Sequence, residues 1–244
     1  MPAPRAFDLL RSCAPTISVG ILAADVMDLK SDLALLEQAD VKAIHFDVMD
    51  GCFVPLLTVG PPVVKAVRTR LLKDVHLMIR EPLDKVADYV GAGADIVTVH
   101  VESGPDTRAV LRQLGTMKNS NDPERGLVRG VALNPGTPVE VLEPILDEVE
   151  MVTVLAVDPV ERKPVFVEST GEKFSEVKQM VSVANREILL CIDGGVKKDN
   201  IAEIAAMGAD IVVSGSAIFT GDSPAENVRI MMGALRSRIQ RGTR

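Results

Sequence analysis

Three histidines occur in the chain, and two of them stand beside carboxylates in short motifs, His45-Phe46-Asp47 and Asp74-Val75-His76. Far downstream, Cys191-Ile192-Asp193-Gly194-Gly195 carries another carboxylate. Each motif closes a short apolar, β-branched run, the pattern of a buried strand. In an α/β barrel the strand ends meet at one mouth, so His45, Asp47, His76 and Asp193 would converge there. Imidazole with carboxylate is a donor set for a transition metal. Two carboxylates beside one metal are the parts needed to move a proton at a carbon next to a carbonyl. A lone histidine at a strand end is more often structural. What favours a site is the spacing of His45 and Asp47, which puts both on one strand face.

The elements that must position these residues alternate along the chain. Strands are expected at Thr16–Leu22, Ala43–Val48, Asp74–Ile79, Ile96–Val101, Val128–Leu133, Met151–Ala156, Ile188–Ile192 and Ile211–Ser214. Continuous Val, Ile and Leu suit parallel strands buried on both faces. Helices are expected at Asp28–Gln38, Pro62–Leu72, Pro82–Gly91, Pro138–Glu148, Lys197–Met207 and Pro224–Ile239. Proline marks several starts, and glycine follows several ends. Gly91-Ala92-Gly93-Ala94-Asp95 and Met207-Gly208-Ala209-Asp210 share one helix-end-then-strand pattern. Eight strands with intervening helices make a single (β/α)8 barrel; a doubly wound open sheet is the competing architecture. Residues 1–15 are expected to be an N-terminal extension with one helical turn near Phe7–Leu10, and residues 16–244 one barrel domain. The polar stretch Asn119–Gly126 is expected to be an exposed loop on the face away from the chemistry.

Composition bounds the function. The 244 residues, 47% hydrophobic and 25% charged, are a globular mixture of the length of one barrel. A net charge of -7 with no basic block argues against nucleic acid or an anionic membrane as partner, and leaves room for a local anion site. Three cysteines without metal-ribbon spacing point to a reduced, cytoplasmic location. Cys52 is expected to be a small buried residue. No apolar run reaches the length of a membrane span, and the first fifteen residues lack the apolar stretch of a secretory signal.

His45-x-Asp47-x-Met49-Asp50-Gly51-x-Phe53-Val54-Pro55 resembles the signature of the ribulose-phosphate 3-epimerase family. So do Asp74-x-His76-Leu77-Met78-Ile79, Ala92-Gly93-Ala94-Asp95, His100-x-Glu102, Gly130-x-Ala132-Leu133-Asn134-Pro135, Asp193-Gly194-Gly195-Val196 and Ser214-Gly215-Ser216-Ala217-Ile218-Phe219. The similarity runs in order from about Ile17 to Phe219. It implies a TIM barrel of the ribulose-phosphate-binding type, acting on a small-molecule sugar phosphate as a homo-oligomer. It implies a divalent metal (Zn, Fe or Mn) held by His45, Asp47, His76 and Asp193. Asp47 and Asp193 take a second duty as the acid/base pair that inverts C3 of a ketose phosphate. Ser18, Met49 and Met78 fall on the substrate side, although both methionines serve equally as plain core. Gly194, Gly195, Gly215 and Ser216 follow the seventh and eighth strands, where barrels bind phosphate. His100 is expected to pack and hydrogen-bond below the site, and Asp50 to shape a turn.

The chain departs from the family at the substrate end. Gly20 replaces a serine that contacts substrate, removing a hydroxyl and opening space. Leu56 replaces an asparagine, and Leu155 a methionine. After the sixth strand a glycine-rich loop gives way to Asp158-Pro159-Val160-Glu161-Arg162-Lys163-Pro164. Arg162 and Lys163 either replace that loop by charge or are merely solvated. The expected function is 3-epimerisation of a ketose phosphate, D-ribulose 5-phosphate by default. The rivals are another sugar phosphate, a lyase on a related barrel (disfavoured by the lack of a lysine beside Asp47 or Asp193), and a non-catalytic metal-binding relative.

Overall fold

The computed structural model describes residues 4–161, 165–221 and 223–237. Eight parallel strands close into a barrel in sequence order: β1 Thr16–Gly20, β2 Ala43–Met49, β3 Leu72–Met78, β4 Ile96–His100, β5 Val128–Leu133, β6 Met151–Leu155, β7 Leu189–Asp193 and β8 Ile211–Ser214. β8 pairs back onto β1, which rules out the open sheet. The α-helices are α1 Ala6–Cys13, α2 Leu29–Leu36, α3 Pro61–Ala66, α4 Val86–Gly91, α5 Thr107–Thr116, α6 Thr170–Val183, α7 Ile201–Met207, α8 Ser216–Phe219 and α9 Pro224–Arg236.

Strand alternation divides the core in two. Outward residues such as Ile44, Phe46, Val75 and Leu77 join the apolar stripes of the helices in the larger layer. Inward residues at the strand starts (Ala43, Leu72, Ile96, Val128, Met151, Leu189, Ile211) form a smaller cluster with Ala6, Phe7 and Leu10 of α1. The N-terminal segment is therefore a helix of 8 residues, longer than the single turn expected, and its apolar face floors the barrel.

Three helical expectations change. Pro82–Gly91 breaks at Lys85 into a 3-10 turn and α4. Val139–Glu148 is a 3-10 helix throughout; Pro144 within it has no N–H to give an α-helical bond. Residues 67–71, placed in a helix by sequence, are the connection into β3. α5 and α6 were counted among the intervening helices without bounds; Val110, Leu111 and Leu114, and Phe174, Val177 and Val181, are their buried stripes.

Gly130 lies inward on β5 opposite Thr98 of β4. A Cβ there would come within 2.2 Å of Thr98 Oγ1 and 3.1 Å of its backbone. Gly130→Ala is expected to destabilise the protein by about 2–3 kcal/mol through overpacking. Urea unfolding of the two proteins checks it; an unchanged midpoint would contradict this packing.

Candidate metal and acid/base site

The side chains of His45, Asp47 and Met49 follow one another up the inner face of β2, as Asp74, His76 and Met78 do on β3. Parallel pairing sets Asp47 beside His76, and Leu155 of β6 beside Asp193 of β7. Ligand atoms of His45, Asp47, His76 and Asp193 consequently lie within 4.8 Å of one another at the C-terminal mouth. His45 Nε2 is 3.2 Å from Asp47 Oδ1 and 3.5 Å from Asp193 Oδ2. His76 Nδ1 is 2.9 Å from Asp193 Oδ2 and 3.7 Å from Asp47 Oδ1.

The far nitrogen of each ring is held from below. His45 Nδ1 donates to Asp74 Oδ2 at 2.8 Å, and Ser18 Oγ donates to the same oxygen at 2.9 Å. His76 Nε2 lies 2.9 Å from His100 Nε2, and His100 Nδ1 lies 3.0 Å from Glu102 Oε2. The other Glu102 oxygen accepts from the Asn134 amide and the Thr137 hydroxyl. Burial raises the Glu102 pKa, but these bonds, led by that from His100, hold it below the usual carboxylate range. Burial lowers the pKa of His100. A neutral His100 that donates from Nδ1 to a carboxylate has a bare Nε2, which accepts from His76 Nε2–H. His76 then turns the lone pair of Nδ1 toward Asp193.

Lone pairs of two imidazoles therefore face two carboxylates across hydrogen-bond distances. Only a positive charge between them reconciles that arrangement, and the mixed nitrogen and oxygen set fits a divalent metal. Without one, protons serve. Burial works against a charged His45, yet Asp74, Asp47 and Asp193 raise its pKa well above 6.5. Burial likewise opposes the Asp193 anion, and His45 and His76 outweigh it, holding the carboxyl far below its usual range.

Met49 and Met78 line a cavity of about 590 Å³ above the cluster, with Leu155, Val157 and Leu56. A second cavity, about 480 Å³, shares Asp47, Met49, Leu56, Asp193 and Gly194 with it and reaches Gly195, Gly215 and Ser216. The glycine turns stand where sequence placed them. Gly194 and Gly195 have φ of +101° and +68°, and a Cβ on Gly194 would lie 2.5 Å from Val157.

Several expectations are corrected. Ser18 is fully buried and serves Asp74; pairing with Ala43 sets it one layer below His45, too deep for substrate. Gly20, level with His45, borders the second cavity together with Asp47 and Asp193, as expected, and a Cβ there would lie 3.3 Å from Gly215 Cα. Cys52 is exposed, since Asp50 turns the chain outward by accepting the amides of Cys52 and Phe53. That is the turn role expected of Asp50. Asn119 is buried in its loop, donating to Asp95 at 2.7 Å. After β6, the amides of Val160 and Glu161 donate to the Asp158 side chain and carbonyl, where a glycine-rich loop would leave amides for phosphate. Arg162, Lys163 and Pro164 lie outside the described residues. Sequence reasoning gave no role to Asp74 or Glu102. For Asp74 the signal was present: it precedes His76 by two residues, on the same strand face.

Comparison with known proteins agrees with this geometry. Residues 16–219 match the ribulose-phosphate 3 epimerase family. Ribulose-phosphate 3-epimerase of Bacillus subtilis is 37% identical over 206 residues, covering 83% of this chain and 91% of the relative. That of Escherichia coli K12 is 39% identical over 207 residues, covering 83% and 88%. The chloroplastic ribulose-5-phosphate-3-epimerase of Arabidopsis thaliana is 39% identical over 215 residues, covering 87% and 74%. Among solved structures, KGPDC from Streptococcus mutans in complex with D-R5P superposes with a TM-score of 0.70 at 16% identity, covering 91% of this chain and 98% of its own. 3-Hexulose-6-phosphate synthase from Salmonella typhimurium gives 0.60 at 15%, covering 91% and 99%. At those identities the likeness is one of fold alone, a TIM barrel. Kinship over most of its length places the chain in the ribulose-phosphate 3-epimerase family, an isomerase acting on carbohydrates.

Proposed function

We propose that the protein is a metal-dependent 3-epimerase of a ketose phosphate, converting D-ribulose 5-phosphate to D-xylulose 5-phosphate. One observation carries the reading: Asp47 and Asp193 meet His45 and His76 at the barrel mouth, between Met49 and Met78 and the Gly194–Gly195 and Gly215–Ser216 turns. His45, Asp47, His76 and Asp193 would hold the metal (Zn, Fe or Mn), which as a Lewis acid stabilises negative charge developing on the sugar oxygens. Asp47, on β2, and Asp193, on β7, serve opposite faces of the sugar. One takes the proton from C3, and the other supplies a proton to the opposite face of the planar enediolate. Met49 and Met78 keep water from that species. The glycine turns offer backbone amides to the phosphate.

The wall after β6 favours a second reading, in which the same chemistry serves a different sugar phosphate. Pro159, Val160 and Glu161 line the larger cavity, and the amides of Val160 and Glu161 are already bonded within the loop. A side-by-side comparison of kcat/KM across ketose phosphates separates the readings. Fastest turnover of D-ribulose 5-phosphate supports the first; a clear preference for another ketose replaces it with the second.

Metal uptake should depend on pH. The His45 proton must leave before Nε2 binds a metal, and neighbouring carboxylates hold it to a pH well above 6.5. Apparent metal affinity is therefore expected to rise about tenfold per pH unit from about pH 6, levelling once His45 is neutral. Competition with a chromogenic chelator across that range measures it. A flat profile would remove His45 from the ligand set.

Two further assignments complete the proposal. A homo-oligomer is supported by Val26, Met27 and Leu57, exposed on the loops after the adjacent strands β1 and β2; a monomer mass by light scattering would contradict it. A cytoplasmic location is supported by three free cysteines; recovery of the native protein from another compartment would contradict it. No helix among the described residues is long and apolar enough to cross a membrane.

A further inference from the structure

At the end of the barrel opposite the mouth, the connections into β3, β4 and β5 enclose a cavity of about 510 Å³. Its wall carries Lys65, Arg68, Lys73 and Arg125, with Ser120 and Asn121, and no carboxylate. The chain has 34 acidic and 27 basic residues, so four cations without a lining acid run against its overall charge.

Of the four cations, only Arg125 has a carboxylate partner among the described residues, Asp95 at 3.2 Å. Among the described residues, Lys65 and Arg68 have no hydrogen-bond or ion-pair partner. Lys73 is buried, and its ammonium donates only to the carbonyls of Val64 at 2.7 Å and Ala92 at 3.4 Å. An ammonium has three N–H donors, so one is left over. Burial lowers the Lys73 pKa, and Asp95 offsets this only in part. That carboxylate, beneath the cavity, is already engaged. Its Oδ1 accepts from Asn119 and Arg125, and its Oδ2 accepts the backbone N–H of Lys73. Covering the two carbonyls explains Lys73 alone. The ion pair with Asp95 places Arg125, but neither contact explains why Lys65 and Arg68 stand at the same opening.

We infer that this cavity is a second anion site, for a small molecule bearing a phosphate group. Its volume suits a metabolite, not a macromolecular surface. Cations outnumber acids on the wall, so the ligand carries more than one negative charge. Arg68 and Arg125 provide forked donors, and Lys65 and Lys73 point charges. Asn121 adds a neutral donor, the amide hydrogen left after its bond to the Gly93 carbonyl. The site is remote from the glycine turns of the mouth and does not depend on the epimerase reading.

The test is a titration of the full-length, isotope-labelled protein with inorganic pyrophosphate, followed through backbone amide shifts. Saturable shifts are expected at Arg68, Thr69, Ser120 and Asn121. The double variant Lys65→Glu, Arg68→Glu changes two exposed side chains, so folding should persist, checked by circular dichroism. It is expected to weaken those shifts' apparent affinity about tenfold or more, because two charge-assisted contacts become repulsive. Any shifts at Gly194, Gly195, Gly215 and Ser216 should be unchanged. Shifts confined to the mouth would overturn the proposal. So would equal affinity in the variant, or no saturable shift at all.

Discussion

Asp193→Asn is expected to slow interconversion of the two epimers by about 10³-fold or more, the upper range for loss of a positioned acid/base group. It should nevertheless leave one epimer exchanging its C3 proton with solvent. Asp47 and Asp193 reach the mouth from β2 and β7, and each can address only its own side of a planar sugar fragment. With asparagine at 193, Asp47 still removes a proton and returns one to the same face. That is exchange without inversion. Asp47→Asn should show the same pattern with the other epimer. Asparagine keeps an oxygen near the metal, and metal content measured alongside separates loss of the base from loss of the ion. Both epimers exchanging in both variants, at full metal content, would place the acid/base groups elsewhere.

Asp74 variants should lose metal without losing either acid/base residue. Asp74 is buried, accepts from His45 and Ser18 through one oxygen, and has its other oxygen unpartnered. Its charge makes the His45 ring a stronger donor, and its hydrogen bond sets the ring's direction. Asp74→Asn keeps an acceptor and removes the charge, so about a tenfold loss of metal affinity is expected; Asp74→Ala removes both, for about 100-fold. Chelator competition gives the affinities, and the nitrogen shift of His45 Nδ1 in the metal-free protein reports whether its hydrogen bond survives. Unchanged affinity in both variants would show that packing alone orients His45.

Much of this site was legible because strand alternation is local. Once β2, β3 and β7 were recognised from Val/Ile/Leu runs, His45, Asp47, His76 and Asp193 had to face inward near the strand ends. Depth was not legible. Ser18 and Gly20 both face inward on β1, and only pairing with Ala43 and His45 shows which lies at the level of the site. That register belongs to barrel closure, which no short window of sequence contains. The His76–His100–Glu102 relay was half visible: His100 was expected below the site, but contact with His76 requires β3 and β4 to be aligned. The bounds of α5 and α6 escaped for another reason. Their buried stripes are short and sit among polar residues, whereas each strand carries Val, Ile or Leu on its outward face. Cys52 was misplaced because a turn held by the Asp50 side chain follows immediately on a buried strand.

The central claim is that Asp47 and Asp193 move the C3 proton of a ketose phosphate. Proton NMR of the metal-loaded protein with D-ribulose 5-phosphate in D₂O tests it most directly. Loss of the C3 proton signal together with appearance of D-xylulose 5-phosphate is the expected result. Metal bound at His45, Asp47, His76 and Asp193 with neither exchange nor product, for D-ribulose 5-phosphate and for every other ketose phosphate tried, would contradict it.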